Sequence, residues 1–272
     1  IQVTGDGSTV ISNQVQGQYL TEDWGSTGIG VVNANNVIVQ GNTVNGPGDS
    51  GIRTYVWGAY SVSGVQIIEN SITGFNAGVV VETYNGGAIS DVVVHGNRVS
   101  DFDTAIVAEP YPDYNGLSVT NVDATLNWWG SSGGPGNVQG EAAFSPWYAN
   151  EAMTVKGYAL PETATTAEAV EAFINNTDTV PLNSFVRMQG SIPGGINVTR
   201  GDIIFILEGA TIGAGSPGFI VDGDNVIIQG GKFDGAAGSG LGSGFPGVLV
   251  LAGSDNFTLD GRSEEHTSEL QS

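Results

Sequence analysis

No cysteine occurs in the 272 residues, so no disulfide holds this chain and its core must do so alone. Basic residues are scarce: 7 Lys and Arg stand against 28 Asp and Glu, a formal charge of -21. A chain of that sign repels phosphate backbones, which argues against nucleic acid as a partner. It also repels polyanionic polysaccharides unless cations bridge the two. No run of about 18 apolar residues occurs, so no helix of this sequence spans a membrane. Ile1 already lies in strand-like sequence, which reads as a start inside a longer protein. What is abundant is glycine, 43 residues, about twice the usual share. Gly, Asn, Ser and Thr separate short runs of Val and Ile, the composition of many short strands joined by tight turns.

One template recurs: apolar, any, apolar, any, any, Asn, any, apolar. Val37, Val39, Asn42 and Val44 fit it, as do Val65, Ile67, Asn70 and Ile72, and Val92, Val94, Asn97 and Val99. Val122, Ala124, Asn127 and Trp129 give another copy, and Ser8, Val10, Asn13 and Val15 a weaker one. Subtracting residue numbers, the asparagines lie 29, 28, 27 and 30 residues apart. Alternation puts the apolar members on one face of a strand, and the asparagine at a bend, where its amide bonds its own turn and stacks on the next asparagine. A second strand follows, with Ile52 and Thr54, Val79 and Val81, Ile106 and Ala108 as inward members. One such repeat cannot bury its apolar face; stacked at about 4.8 Å, the repeats bury a continuous core. The predicted class is therefore all-β, a right-handed parallel β-helix. βαβ units are excluded because no segment between repeats has a helical apolar period.

The segment from Leu126 to Gly136, Leu-Asn-Trp-Trp-Gly-Ser-Ser-Gly-Gly-Pro-Gly, followed by Ser145-Pro-Trp147, resembles the ending of right-handed β-helix repeat proteins of bacterial and archaeal exteriors. The resemblance covers residues 1–150 and implies a secreted or cell-surface protein. Its structural reading sets Trp129 inward, with the other tryptophans covering the last coil, in preference to a sugar-stacking role for Trp128. Residues 151–162 lose the repeat and read as a linker. Thr165 and Glu168 then form a capping box, and Ala167, Val170, Phe173 and Ile174 share a helix face. Strands resume from Phe185, and Val226, Ile228, Gly231 and Phe233 echo the template with Gly in place of Asn. A short amphipathic helix ahead of rungs resembles the N-terminal cap of pectate-lyase-like β-helices, so 163–261 reads as a second unit with a projecting loop from Gly235 to Gly247. Residues 262–272 break the pattern and resemble a translated sequencing-library adapter, a non-native tail.

Aligning Gly51, Gly78 and Ala105 puts Tyr55, Glu82 and Glu109 in one outward column. Adjacent rungs would hold the two carboxylates about 5 Å apart, the separation expected of a retaining glycosidase, with one acid raised by the other. The loops that follow carry Trp57, Tyr60, Tyr84, Tyr111 and Tyr114, aromatic faces suited to sugar rings or to covering the core edge. Asp101 and Asp103 are expected in a turn, as calcium ligands or as Asx-turn residues. His95 is expected outward and without a partner. The β-helix lyases use an Arg or Lys base beside calcium-binding aspartates, and none of Arg53, Arg98, Arg187 and Arg200 sits by such a cluster. Two readings follow. The favoured one is a non-enzymatic structural or adhesive module, a stalk, adhesin or surface-layer component with a polysaccharide or cell-surface glycan as candidate partner, in which Glu82 and Glu109 are solvated surface residues or bind a cation; the other is a polysaccharide lyase or glycosidase acting at Glu82 and Glu109.

Overall fold

The computed structural model describes residues 1–18, 25–112, 117–213, 217–233 and 247–260. Tyr114, the tail 262–272 and the expected Gly-rich loop, Gly247 apart, lie outside the described residues. The chain is an all-β parallel β-helix with a single α-helix among the described residues. It divides into two units, Ile1–Lys156 and a second from Gly157 onward.

Each coil of the first unit has three sides. The first carries Thr9–Ile11, Ile38–Gln40, Gln66–Ile68 and Ala88–His95, in register through Val10, Val39, Ile67 and Val94. The second is short and pairs Gln14–Gln16 with Thr43–Asn45, then with the start of Ser71–Tyr84. The third is the longest sheet: Thr27–Val32, Ser50–Trp57, Ser71–Tyr84, Arg98–Pro110 and Val138–Gly140. The predicted inward members are inside. Val37, Val39, Val65, Ile67, Val92 and Val94 are all fully buried, and so are Ile52, Thr54, Val79, Val81 and Ile106. Each buried Val or Ile contributes about 1.5–3 kcal/mol. Gly28, Gly51 and Gly78 stand where a Cβ would come within 2.4, 2.3 and 2.4 Å of Val44, Ile72 and Val99, so close packing of two sides requires glycine there.

Between the first and second sides the chain turns sharply, its left-handed residue outward and the asparagine that follows inward. The residue before each asparagine adopts a left-handed conformation: Ser12, Gly41, Glu69, Gly96 and Leu126, with φ from 55 to 66°. The asparagine then satisfies the bend. Its backbone N–H and its Nδ2 both donate to Oδ1 of the next asparagine at 2.9–3.0 Å, from Asn13 through Asn42, Asn70 and Asn97 to Asn127. Nδ2 also donates down to the rung below, to Val10 O, Val39 O and Ile67 O at 2.8–2.9 Å. Asn42, Asn70, Asn97 and Asn127 are buried. Trp129 and Trp147 are buried as well, and Trp147 Nε1 donates to Ser132 O at 2.9 Å. A Cβ on Gly134 would meet the Trp147 ring at 2.7 Å, so the Gly-Gly-Pro loop folds directly over that ring.

In the second unit, Lys156–Ala159, Ser184–Arg187, Ile203–Ile206, Val226–Gln229 and Thr258–Asp260 appear in one parallel sheet. The segment expected to be a linker, 151–162, thus contains a strand. The α-helix, Ala167–Ile174, buries Val170 and Ile174. Its N-cap is Thr166 rather than Thr165, because Thr166 Oγ1 accepts from Ala169 N at 3.2 Å. Glu171 and Asn175, one turn apart, pair the edge strand Ile196–Val198: Asn197 N donates to Glu171 Oε1 at 2.6 Å and Asn175 Nδ2 to Asn197 O at 2.8 Å. Arg200, 8% exposed, donates to Ile174 O at 3.3 Å, to Val180 O and to Pro181 O at 3.0 Å, satisfying carbonyls at the helix end. A second amide ladder runs along left-handed bends ahead of the strands, where Asn225 donates to Asp202 and Asn256 to Asn225, at 2.8 and 3.0 Å. Val226 and Ile228 are fully buried as the template requires, while Gly230 and Gly231 both take positive φ.

The buried ladder sets a measurable order of effects. Asn70→Ala strands Asn42 N–H and Val39 O and should cost about 1–3 kcal/mol. Asn70→Asp loses the Nδ2 donor and sets a carboxylate against Asn97 Oδ1, so it should cost more. Urea unfolding of the three proteins would show the ranking wild type, Ala, Asp; three equal midpoints would dismiss the ladder as a source of stability.

Candidate ligand-binding face

The outward parity of the long sheet builds a face with three columns. Tyr55 stands opposite Glu82, and Glu82 opposite Glu109, as the alignment expected. Arg53 stands opposite Val80, and Val80 opposite Val107. Trp57 stands opposite Tyr84, and Tyr111 follows one rung on, its N–H bonded to Thr83 O at 3.0 Å.

The three rings stack along the coil axis. Trp57 and Tyr84 have centroids 5.6 Å apart, and Tyr84 and Tyr111 lie 4.7 Å apart and nearly parallel. Tyr55 meets Tyr84 edge-on at 6.4 Å. Trp57 and Tyr111 remain 42% and 39% exposed. The columns line an open cleft of about 810 Å³, which also takes in Asp49, Pro110 and Gln139.

Arg53, set aside in the sequence as a lyase base for want of an aspartate cluster, lies at the centre of this face. Arg53 donates to the Glu82 carboxylate and to the Tyr84 hydroxyl. Its guanidinium lies 4.9 Å from the Tyr55 ring centroid and 5.6 Å from that of Tyr84, within cation–π range. Glu82, only 8% exposed, is therefore charge-compensated, and the repulsion expected from Glu109 is offset by the guanidinium. Among the described residues Glu109 has no hydrogen-bond or charge partner. Burial, and after it the Glu82 carboxylate, pushes the Tyr84 phenol well above its ordinary value, with Arg53 opposing. At the margin, Asp49 Oδ2 accepts from Ser26 N at 2.6 Å and from Ser26 Oγ at 3.1 Å, and Oδ1 accepts from Asn76 Nδ2 at 3.3 Å.

The other expected residues fall elsewhere. Tyr60 is 59% exposed and outside the cleft lining. Asp101 and Asp103 lie within the strand Arg98–Pro110 rather than in a turn; Asp101, at φ 55°, accepts from Thr73 Oγ1 at 3.0 Å. Among the described residues no three His, Asp or Glu side chains gather as a metal-binding group. His95 has partners: its Nε2 lies 3.0 Å from Asp123 Oδ1 and 3.1 Å from Thr125 Oγ1. Burial works against the charge of Asp123, but the hydrogen bonds from His95 and Thr125 outweigh it and hold the carboxyl below its usual range.

The raised Tyr84 phenol implies a pH dependence with a definite sign. Its folded value exceeds that of an unfolded tyrosine, about 10. The contribution is present in full below about pH 10 and is lost as pH rises through the folded value. Tyr84→Phe should flatten the alkaline fall of the urea midpoint, and Glu82→Gln should bring the phenol down, read by tyrosinate absorbance. An unchanged titration in Glu82→Gln would mean the carboxylate does not act on Tyr84.

No protein-family model matches the chain, and neither does any curated protein or solved structure. No described helix is long and apolar enough to cross a membrane.

Proposed function

We propose that this chain is a non-enzymatic β-helix module of an exported protein, and that it binds an extended glycan along the long-sheet face. The observation that carries this is the aromatic column Trp57–Tyr84–Tyr111 running beside polar groups in an open cleft. The exposed aromatic carbon of Trp57 and Tyr111, at the two ends of the stack, suits the apolar C–H surfaces of sugar rings, and the neighbouring carboxylates and amide accept and donate to hydroxyls.

The pairing of Glu82 supports binding over hydrolysis. A glycosidase needs one carboxyl to give a proton and the other to attack or activate water. Here Glu82 is engaged by Arg53 in the free protein.

Affinity electrophoresis in polysaccharide-loaded gels tests the reading. The chain should be retarded by at least one glycan, and Trp57→Ala or Tyr111→Ala should weaken binding about tenfold or more, about 1.4 kcal/mol. Released reducing ends or unsaturated products would instead establish the lyase or glycosidase reading. No retardation by any glycan would remove the binding function.

A further inference from the structure

We propose, on the basis of that reading, that the ligand is a cationic glycan, a polymer of free amino sugars whose ammonium groups are met by Glu109. Three carboxylates line the cleft against one guanidinium: Asp49, Glu82 and Glu109 against Arg53. Their partners differ. Arg53 takes Glu82, and Ser26 and Asn76 take Asp49. Glu109 is half-buried, faces the cleft and stands one rung from Glu82 with no partner among the described residues. A carboxylate partly withdrawn from water beside another carboxylate favours an incoming cation, and the low-dielectric wall strengthens that attraction.

The accompanying groups narrow the class. The carboxylate column and the aromatic column run side by side along the coil axis, each advancing one residue per rung of about 4.8 Å. An extended β-1,4-linked hexosamine chain advances by about one rung per sugar and turns over at each linkage, so like groups recur at every second sugar. It brings C–H surface to the exposed edges of Trp57 and Tyr111 and sets an ammonium on the carboxylate side at alternate sugars, where Glu109 is the carboxylate without a partner among the described residues. Uronic-acid polymers would meet Glu109 with like charge on a chain of formal charge -21. Neutral glycans offer Glu109 hydroxyl donors but no compensating charge. A basic peptide answers the charge but brings no ring surface to Trp57 and Tyr111.

Titration calorimetry on the full chain separates these cases, with chitosan, N-acetylated chitin and cellulose oligomers of equal length, polygalacturonate and poly-lysine. The chitosan oligomer should bind at least about tenfold tighter than its acetylated and neutral counterparts. Glu109→Gln should erase that preference while keeping the wild-type thermal midpoint. Asp178→Asn, an exposed charge change in the second unit, controls for net charge and should leave affinity unaltered. Trp57→Ala should weaken all sugars and leave poly-lysine unaffected. Equal affinity for the three sugars, unmoved by Glu109→Gln, would overturn the amino-sugar inference and leave the glycan face standing. Binding of poly-lysine as tight as that of chitosan would overturn it in favour of a peptide partner. Binding of no sugar at all would overturn both.

Discussion

A bend whose inner edge lies in the core must pair the N–H and C=O groups it brings there, and that requirement organises the first unit. Each coil bends at a left-handed residue on the outside followed by an asparagine, and from Asn42 to Asn127 that asparagine is buried. The asparagine side chain is the right size to satisfy its own rung, the rung below and the rung above at once. Because every amide bonds the next, a slip of one residue in any coil would break bonds in two others. The ladder therefore sets register, and register sets parity. Parity places Val and Ile inside and lines up Tyr55, Glu82 and Glu109 outside.

That chain of causes explains which features were legible in the sequence. A period of two and a recurring asparagine are local signals, so the core, the bends and the outward carboxylate column could all be read from residue spacing. Arg53 was considered only as a lyase base, and its contacts were not legible because its partners lie on another rung, 29 and 31 residues away, and no spacing rule marks a diagonal contact. The available signal was parity: Arg53, Tyr55 and Trp57 alternate on one outward face. His95 and Thr125 stand two residues before Asn97 and Asn127, so their contact was readable from the same template and was overlooked. Tyr60 was misplaced because the template ends where the strand ends. The cap shifted from Thr165 to Thr166 because adjacent threonines look alike until a particular N–H chooses between them.

The two units solve the same problem differently. In the first, the amide ladder is buried, so each unmade bond carries the full desolvation penalty. In the second, the Asp202–Asn225–Asn256 ladder is exposed and water competes for it. Order there rests on the apolar core of Phe205, Phe219, Ile203 and Ile228, and on a helix whose Glu171 and Asn175 stand in for a neighbouring strand. Two side chains at helical spacing pair an edge that would otherwise offer itself to another chain.

The division of labour by parity also bears on function. Inward positions hold the fold, so outward positions on the long sheet are free to carry chemistry that contributes little to stability. An ion pair between half-buried groups seldom adds much net stability, since desolvation offsets attraction. The Arg53–Glu82–Tyr84 group is better understood as fixing geometry. The guanidinium bridges two rungs, clamps the Tyr84 ring between Trp57 and Tyr111, and holds Glu82 down while Glu109 stays open. A face whose rings are already stacked loses little side-chain entropy when a ligand arrives. The rung spacing imposed by the buried asparagines is thereby carried to the surface as a rigid, repeating set of contacts.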